Sequence, residues 1–156
     1  MIRDFFRLVV LGVVLGGSVS ADEAHVIGPA HVYETWGDYE TVRAFLLSEI
    51  RERGLVINRI GDVNSMLGRT AGAVGATVTV YRNAEAILFC KADLSHNLTA
   101  LNPHNIVLCP YSISIYETKA APGTIYLSYR YDSADHPAVK LIARLLDEII
   151  LQVIEM

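Results

Sequence analysis

Apolar residues recur along the chain in two periods, and the switches between the periods mark the expected elements. His31 to Trp36 is a short β-prone run. Tyr39, Val42, Phe45, Leu46 and Ile50 follow at three- and four-residue spacing, one face of an amphipathic helix. Asp38 is placed to cap that helix, and Gly54 to stop it in the left-handed position. Leu55 to Val63 alternates loosely and predicts a strand, whereas Asn64 to Gly75, with Gly68, Gly72 and Gly75 among small residues, predicts a mobile loop. Thr77 to Tyr81 and Ala86 to Cys90 are β-prone runs flanking Arg82-Asn83-Ala84-Glu85, which predicts a hairpin. Asp93 can cap a short helix through Leu101 that ends at Asn102-Pro103, because the residue before a proline is pushed out of the helical region.

The C-terminal third is more regular. Ile106 to Glu117 is β-rich, with Pro110 predicting a bulge or strand start, Ile113 and Ile115 facing in, and Ser112 and Ser114 facing out. Ala121-Pro122-Gly123 turns the chain into Ile125 to Tyr131, where Ile125, Leu127 and Tyr129 alternate with Tyr126, Ser128 and Arg130. Pro137 to Ile154 reads as a helix whose polar residues Lys140, Arg144, Asp147 and Glu148, with Glu155 just beyond, form a narrow stripe. A surface helix needs an apolar band of only about 100°, so this one is expected to be covered by the sheet and by a second subunit. Runs of strands with helices near the ends predict an α+β fold: a mostly antiparallel sheet with an N-terminal β-α unit and a long C-terminal helix packed on one face. The expected organisation is one domain over residues 31–156, preceded by a flexible leader over 22–30, where Gly28-Pro29 acts as a breaker.

Ahead of that leader, Arg3 and Arg7 precede an uncharged stretch from Leu8 to Gly17 and then Val19-Ser20-Ala21. This is the pattern of a secretory signal peptide over residues 1–21. About a dozen helical residues span roughly 18 Å, short of the roughly 30 Å hydrocarbon core of a bilayer. The domain is therefore expected in the periplasm or secreted, in an oxidising compartment, with no stable membrane span once the signal is cleaved.

Composition narrows the function classes. Thirteen Lys and Arg against 17 Asp and Glu leave a formal charge of -4, which argues against a nucleic-acid partner. Hydrophobic residues make up 52% and charged ones 19%, enough for one core and too apolar for a disordered chain. The three loop glycines fit neither dinucleotide nor Walker spacing, and no G-x-S-x-G is present. No catalytic residue is identifiable, and a non-enzymatic role is favoured. His96 and His104 lie between Cys90 and Cys109, which leaves a mixed Cys/His metal or haem site conceivable, yet no ligand spacing encodes one; no cofactor and no metal site is assigned. Tyr111, Tyr116, Tyr126, Tyr129 and Tyr131 cluster on the last two strands. They read either as cross-strand packing or as an aromatic wall with Arg130 as an anion partner, which makes Tyr126 and Arg130 candidate ligand-binding residues. A helix of roughly 13 Å after Cys90 can be retraced by the extended residues after Pro103, so Cys90 and Cys109 can meet. A structural disulfide, a redox-active pair and free or metal-bound thiols all remain open at this stage.

Tyr81-Arg82-Asn83-Ala84-Glu85, Phe89-Cys90, Cys109-Pro110-Tyr111-Ser112-Ile113, Ile115-Tyr116-Glu117 and Tyr126 to Arg130 together resemble the family known as domain of unknown function 302. The resemblance runs from about His31 to Tyr131 and is greatest to an exported, two-cysteine branch, in which a phenylalanine-cysteine pair precedes a short helix and a cysteine-proline pair follows it. It implies an α+β fold with a β-α unit before a sheet closed by a long C-terminal helix, commonly assembled as a homodimer, and it implies no reaction. Three functions follow as expectations: a periplasmic accessory protein that binds a small ligand or docks a redox partner; a thiol-disulfide protein using Cys90 and Cys109; or a haem- or metal-binding protein.

Overall fold

The computed structural model describes residues 24–130 and 136–156. The signal-peptide residues, Tyr131 and the segment leading to the last helix lie outside the described residues. In chain order the elements are β1 (His25–Ile27), β2 (Ala30–Trp36), α1 (Tyr39–Glu52), β3 (Val56–Asp62), α2 (Val63–Thr70), β4 (Tyr81–Cys90), α3 (Ala92–Leu101), β5 (Tyr111–Thr118), β6 (Thr124–Arg130) and α4 (Pro137–Ile154). Short 3-10 turns follow α2 at Ala71–Val74 and α3 at Pro103–Leu108. The strands form one antiparallel sheet in the order β1-β2-β6-β5-β4-β3, and the α+β architecture expected from the pattern is the one observed.

Alternation decides which face of the sheet is covered. Ile87 and Phe89 of β4, Ile113 and Ile115 of β5, and Ile125 and Leu127 of β6 are fully buried, as are Leu46 and Ile50 of α1 and Ile149 and Ile150 of α4. They belong to one core between the sheet and the two long helices. Asp38 caps α1 by accepting from the Thr41 N–H at 2.9 Å, and Gly54 closes it at φ 73. Arg53, at the C-cap of α1, donates to Glu148 of α4 at 3.2 Å, and Arg43 of α1 donates to Glu85 of β4 at 2.6 Å.

Several expectations are corrected. His25–Ile27, read as part of an unpacked leader, pairs with β2 from His25 opposite Val32 to Ile27 opposite Ala30; backbone pairing across a tight turn needs no apolar pattern. The expected loop from Asn64 is helical, because the Asp62 carboxylate accepts from the Ser65 N–H at 2.8 Å and starts α2. The expected hairpin at Arg82–Glu85 is the interior of a continuous β4. Its polar residues resemble a turn in one dimension, but Asn83 donates to Glu117 at 3.1 Å and Glu85 accepts from Arg43. Ile106–Leu108 lies in a 3-10 turn, and β5 begins only after the cis Cys109–Pro110 peptide. On α1, Phe45 points outward and Leu47 is buried in its place. On α4, Ile150 is fully buried against the chain's own sheet and α1 and Ile154 packs on the same core, whereas Leu141 stays exposed.

Candidate functional site

Strand β6 changes neighbours along its length. From Glu117 opposite Ile125 to Ser114 opposite Ser128 it pairs with β5. Beyond Ser128 the β5–β6 ladder stops, although β5 stays paired to β4 as far as Tyr111 opposite Phe89, and β6 stays paired to β2 as far as Arg130 opposite Ala30. The two strands therefore fork. The gap between them opens into a groove of about 550 Å³, within the range of small-ligand sites.

Residues from both faces of the sheet reach this groove because it passes through the sheet at the fork. The strands contribute Ser112, Ser114 and Ser128, while α4 contributes an apolar wall of Val139, Ile142, Ala143 and Leu146. Val107, Leu108 and Pro110, at the end of the loop between β4 and β5, form the facing wall. Arg130 lies on the groove lining, exposed, and among the described residues no carboxylate lies within 4.0 Å of its guanidinium. His31 also lines the groove and stacks on Tyr129, with ring centroids 4.8 Å apart and planes 13° from parallel.

A buried polar cluster sits behind this lining. Asp147 of α4 accepts on one oxygen from the Tyr33 hydroxyl at 2.7 Å and from the Tyr129 hydroxyl at 2.5 Å. Burial raises both phenols above the ordinary tyrosine range, and their bonds to Asp147 and its charge raise them further. Both therefore stay protonated donors, and Asp147 ties β2 and β6 to α4 where β5 has left β6. Sequence reasoning placed Asp147 in a solvated stripe of the helix. Its only sequence signal was the presence of Tyr33 and Tyr129 at inward strand positions, and Tyr33 lies 114 residues away.

Cys90 and Cys109 form a disulfide with Cα atoms 6.2 Å apart. It joins the end of β4 to the residue before Pro110 and closes the loop that carries α3 and the Val107–Leu108 wall. Beneath the bridge is a smaller cavity of about 200 Å³, lined by Leu98, Ile106, Leu108 and Tyr111 among others. The hydroxyls of Ser95 and Tyr111 are buried there without a hydrogen-bond partner. Burial raises the Tyr111 phenol, and the nearby Ser95 hydroxyl partly offsets the rise. His96 is an exposed residue of α3 that edges this cavity, and His104 lies in the following 3-10 turn. With the two sulfurs bonded to each other, neither is free to join these histidines on a metal. Among the described residues no three His, Cys, Asp or Glu side chains converge as a metal would require.

The tyrosine cluster is divided between the faces. Tyr111 and Tyr129 turn toward the helices. Tyr126 stacks on its register partner Tyr116 on the opposite face, at 5.1 Å and 14°, and Tyr81 meets Tyr116 edge-on at 5.6 Å. Of the two residues expected to share a pocket, Arg130 lines the groove and Tyr126 does not. No residue of the segment from α2 to Val80 lines it either, so the glycine-bearing segment is not its lid.

No protein-family model and no curated protein matches the sequence. The architecture does have a solved counterpart, in the class of α+β proteins built on one antiparallel sheet. The chain is similar to the crystal structure of an uncharacterized conserved protein DUF302 from Bacillus stearothermophilus, with a TM-score of 0.62 and 12% identity, over 83% of this chain and 98% of that one. The fold is thus the one that the sequence resemblance implied.

Proposed function

We propose that this chain is an extracytoplasmic member of the DUF302 family that binds a small ligand in the groove at the β5–β6 fork. The groove itself carries the reading. A break in an otherwise continuous ladder leaves strand hydroxyls and a cation beside an apolar helix face, and sites of that size and mixed lining take small molecules. Export is supported by the charged start and apolar stretch over residues 1–21, and by a disulfide, which persists in oxidising compartments. No helix among the described residues is long and apolar enough to cross a membrane. A homodimer is proposed on the sequence resemblance alone, and light scattering of the purified protein tests it.

The test is saturable binding of a neutral apolar fluorescent probe, N-phenyl-1-naphthylamine. One probe per chain is expected, and Ala143→Trp, which fills the groove from α4, should abolish binding while the melting temperature stays near that of the parent. Absence of saturable binding, or binding indifferent to Ala143→Trp, would remove the groove from consideration.

A second reading uses the bridge. Cys90 and Cys109 are each only partly buried, and exchange requires a thiolate to reach one of the two sulfurs. A reduction potential well above about -300 mV would favour exchange chemistry over a structural bridge.

A further inference from the structure

We infer that the groove at the β5–β6 fork selects an anionic amphiphile, a carboxylate with a medium-length aliphatic body, held head-first at Arg130. The inference rests on the groove being a ligand site and specifies what the site recognises. In an acidic chain of formal charge -4, the titratable side chains that line this groove among the described residues are Arg130, His31, Tyr111 and Tyr129; two are basic and no carboxylate is among them. Asp147, behind the lining, is occupied by two phenols.

Polarity is also divided in space. Had the ladder continued two residues past Ser114 and Ser128, Ser112 would face Arg130. The fork instead separates them, placing a hydroxyl on one lip and a guanidinium on the other, both turned to the face away from α1. A carboxylate between the lips would accept from both, and guanidinium suits carboxylate because it donates two parallel N–H bonds. On the helix side, Ile142, Leu146 and Val107 offer only hydrocarbon, which suits an unbranched chain. About 550 Å³ is more space than a small inorganic anion would fill.

Paired titrations of octanoate and 1-octanol, matched in chain length and below their aggregation limits, test the inference by calorimetry on the intact disulfide-bonded protein. Octanoate should bind about tenfold or more tightly than octanol, the usual worth of a charge-assisted hydrogen bond. Arg130→Gln, at an exposed strand end, should reduce octanoate to the affinity of octanol and leave octanol unchanged. Ser112→Ala should weaken octanoate by a smaller factor. Equal binding of acid and alcohol, or an Arg130→Gln protein that keeps the preference, would overturn the anion assignment and leave the groove a neutral apolar site. Failure of both ligands in a protein that still takes the fluorescent probe would overturn the aliphatic body. Failure of both ligands and the probe would remove the ligand site itself.

Discussion

The two ends of the β5–β6 pair obey opposite rules. At the turn end the buried carboxylate of Glu117 is answered within the protein. Glu117, only 8% exposed, accepts from the Gly123 N–H at 2.9 Å and from Asn83 at 3.1 Å and forms an ion pair with Arg82 at 3.3 Å, and so ties the turn to β4. At the fork end the strands part, three serines and an arginine face a groove, and β6 is anchored by the Asp147 carboxylate on α4. A buried polar group without a partner costs about 1–3 kcal/mol, so a fold closes such groups wherever rigidity alone is needed. The end that leaves polar groups toward open space is the end suited to a partner from outside.

Removing the anchor should have the largest effect. Asp147→Ala strands two buried phenols and is expected to cost about 4 kcal/mol in urea unfolding, since hydrogen bonds to charged groups contribute about 1.5–3 kcal/mol each. A loss below 1 kcal/mol would mean that α4 holds β6 by apolar packing alone. The same cluster sets a pH dependence. Tyr33 and Tyr129 have folded-state pKa values raised above the unfolded value of about 10. Their contribution is therefore fully present below pH 10 and is lost as pH rises beyond it, because the unfolded phenols release protons that the folded ones keep. Tyr33→Phe should flatten that alkaline decline, and an unaltered decline would remove Tyr33 as its source.

Opening the disulfide should come next. Closing a loop between cysteines 19 residues apart is worth about 3 kcal/mol by loop-closure entropy, and Cys90→Ser is expected to lower stability by about that amount. Since Val107 and Leu108 hang from this loop, the variant should also weaken probe binding at the groove. Weakened stability with unchanged binding would separate the bridge from the site. Thiol titration of the denatured, unreduced parent should find no free thiol.

At the closed end, Glu117→Ala removes the acceptor of two hydrogen bonds and one partner of an ion pair, and should cost about 2 kcal/mol without touching ligand binding. The smallest effect belongs to the open lips. Arg130→Gln and Ser112→Ala should change stability by no more than about 0.5 kcal/mol, while altering affinity for acids. A large stability loss from either would place the open end under the same rule as the closed one.

How much of this was legible beforehand follows from the range of each interaction. The α4 boundaries, the Asp38 cap, the Gly54 stop and the inward alternation of Ile113, Ile115, Ile125 and Leu127 depend on residues within a few positions of each other, and a periodic pattern carries such information directly. Cys90 and Cys109 could be brought together on paper because a short helix and its return have known lengths. The interior of β4 was misread because Asn83 and Glu85 are polar for the sake of Glu117 and Arg43, partners 34 and 42 residues away. Asp147 was hidden for the same reason. Period and composition determined the α+β class and the sheet's buried face, and the structure then joined the two cysteines in a disulfide. Only the tertiary structure decided where β5 and β6 part, because a fork is set by which third element each strand prefers, and no local pattern records that competition.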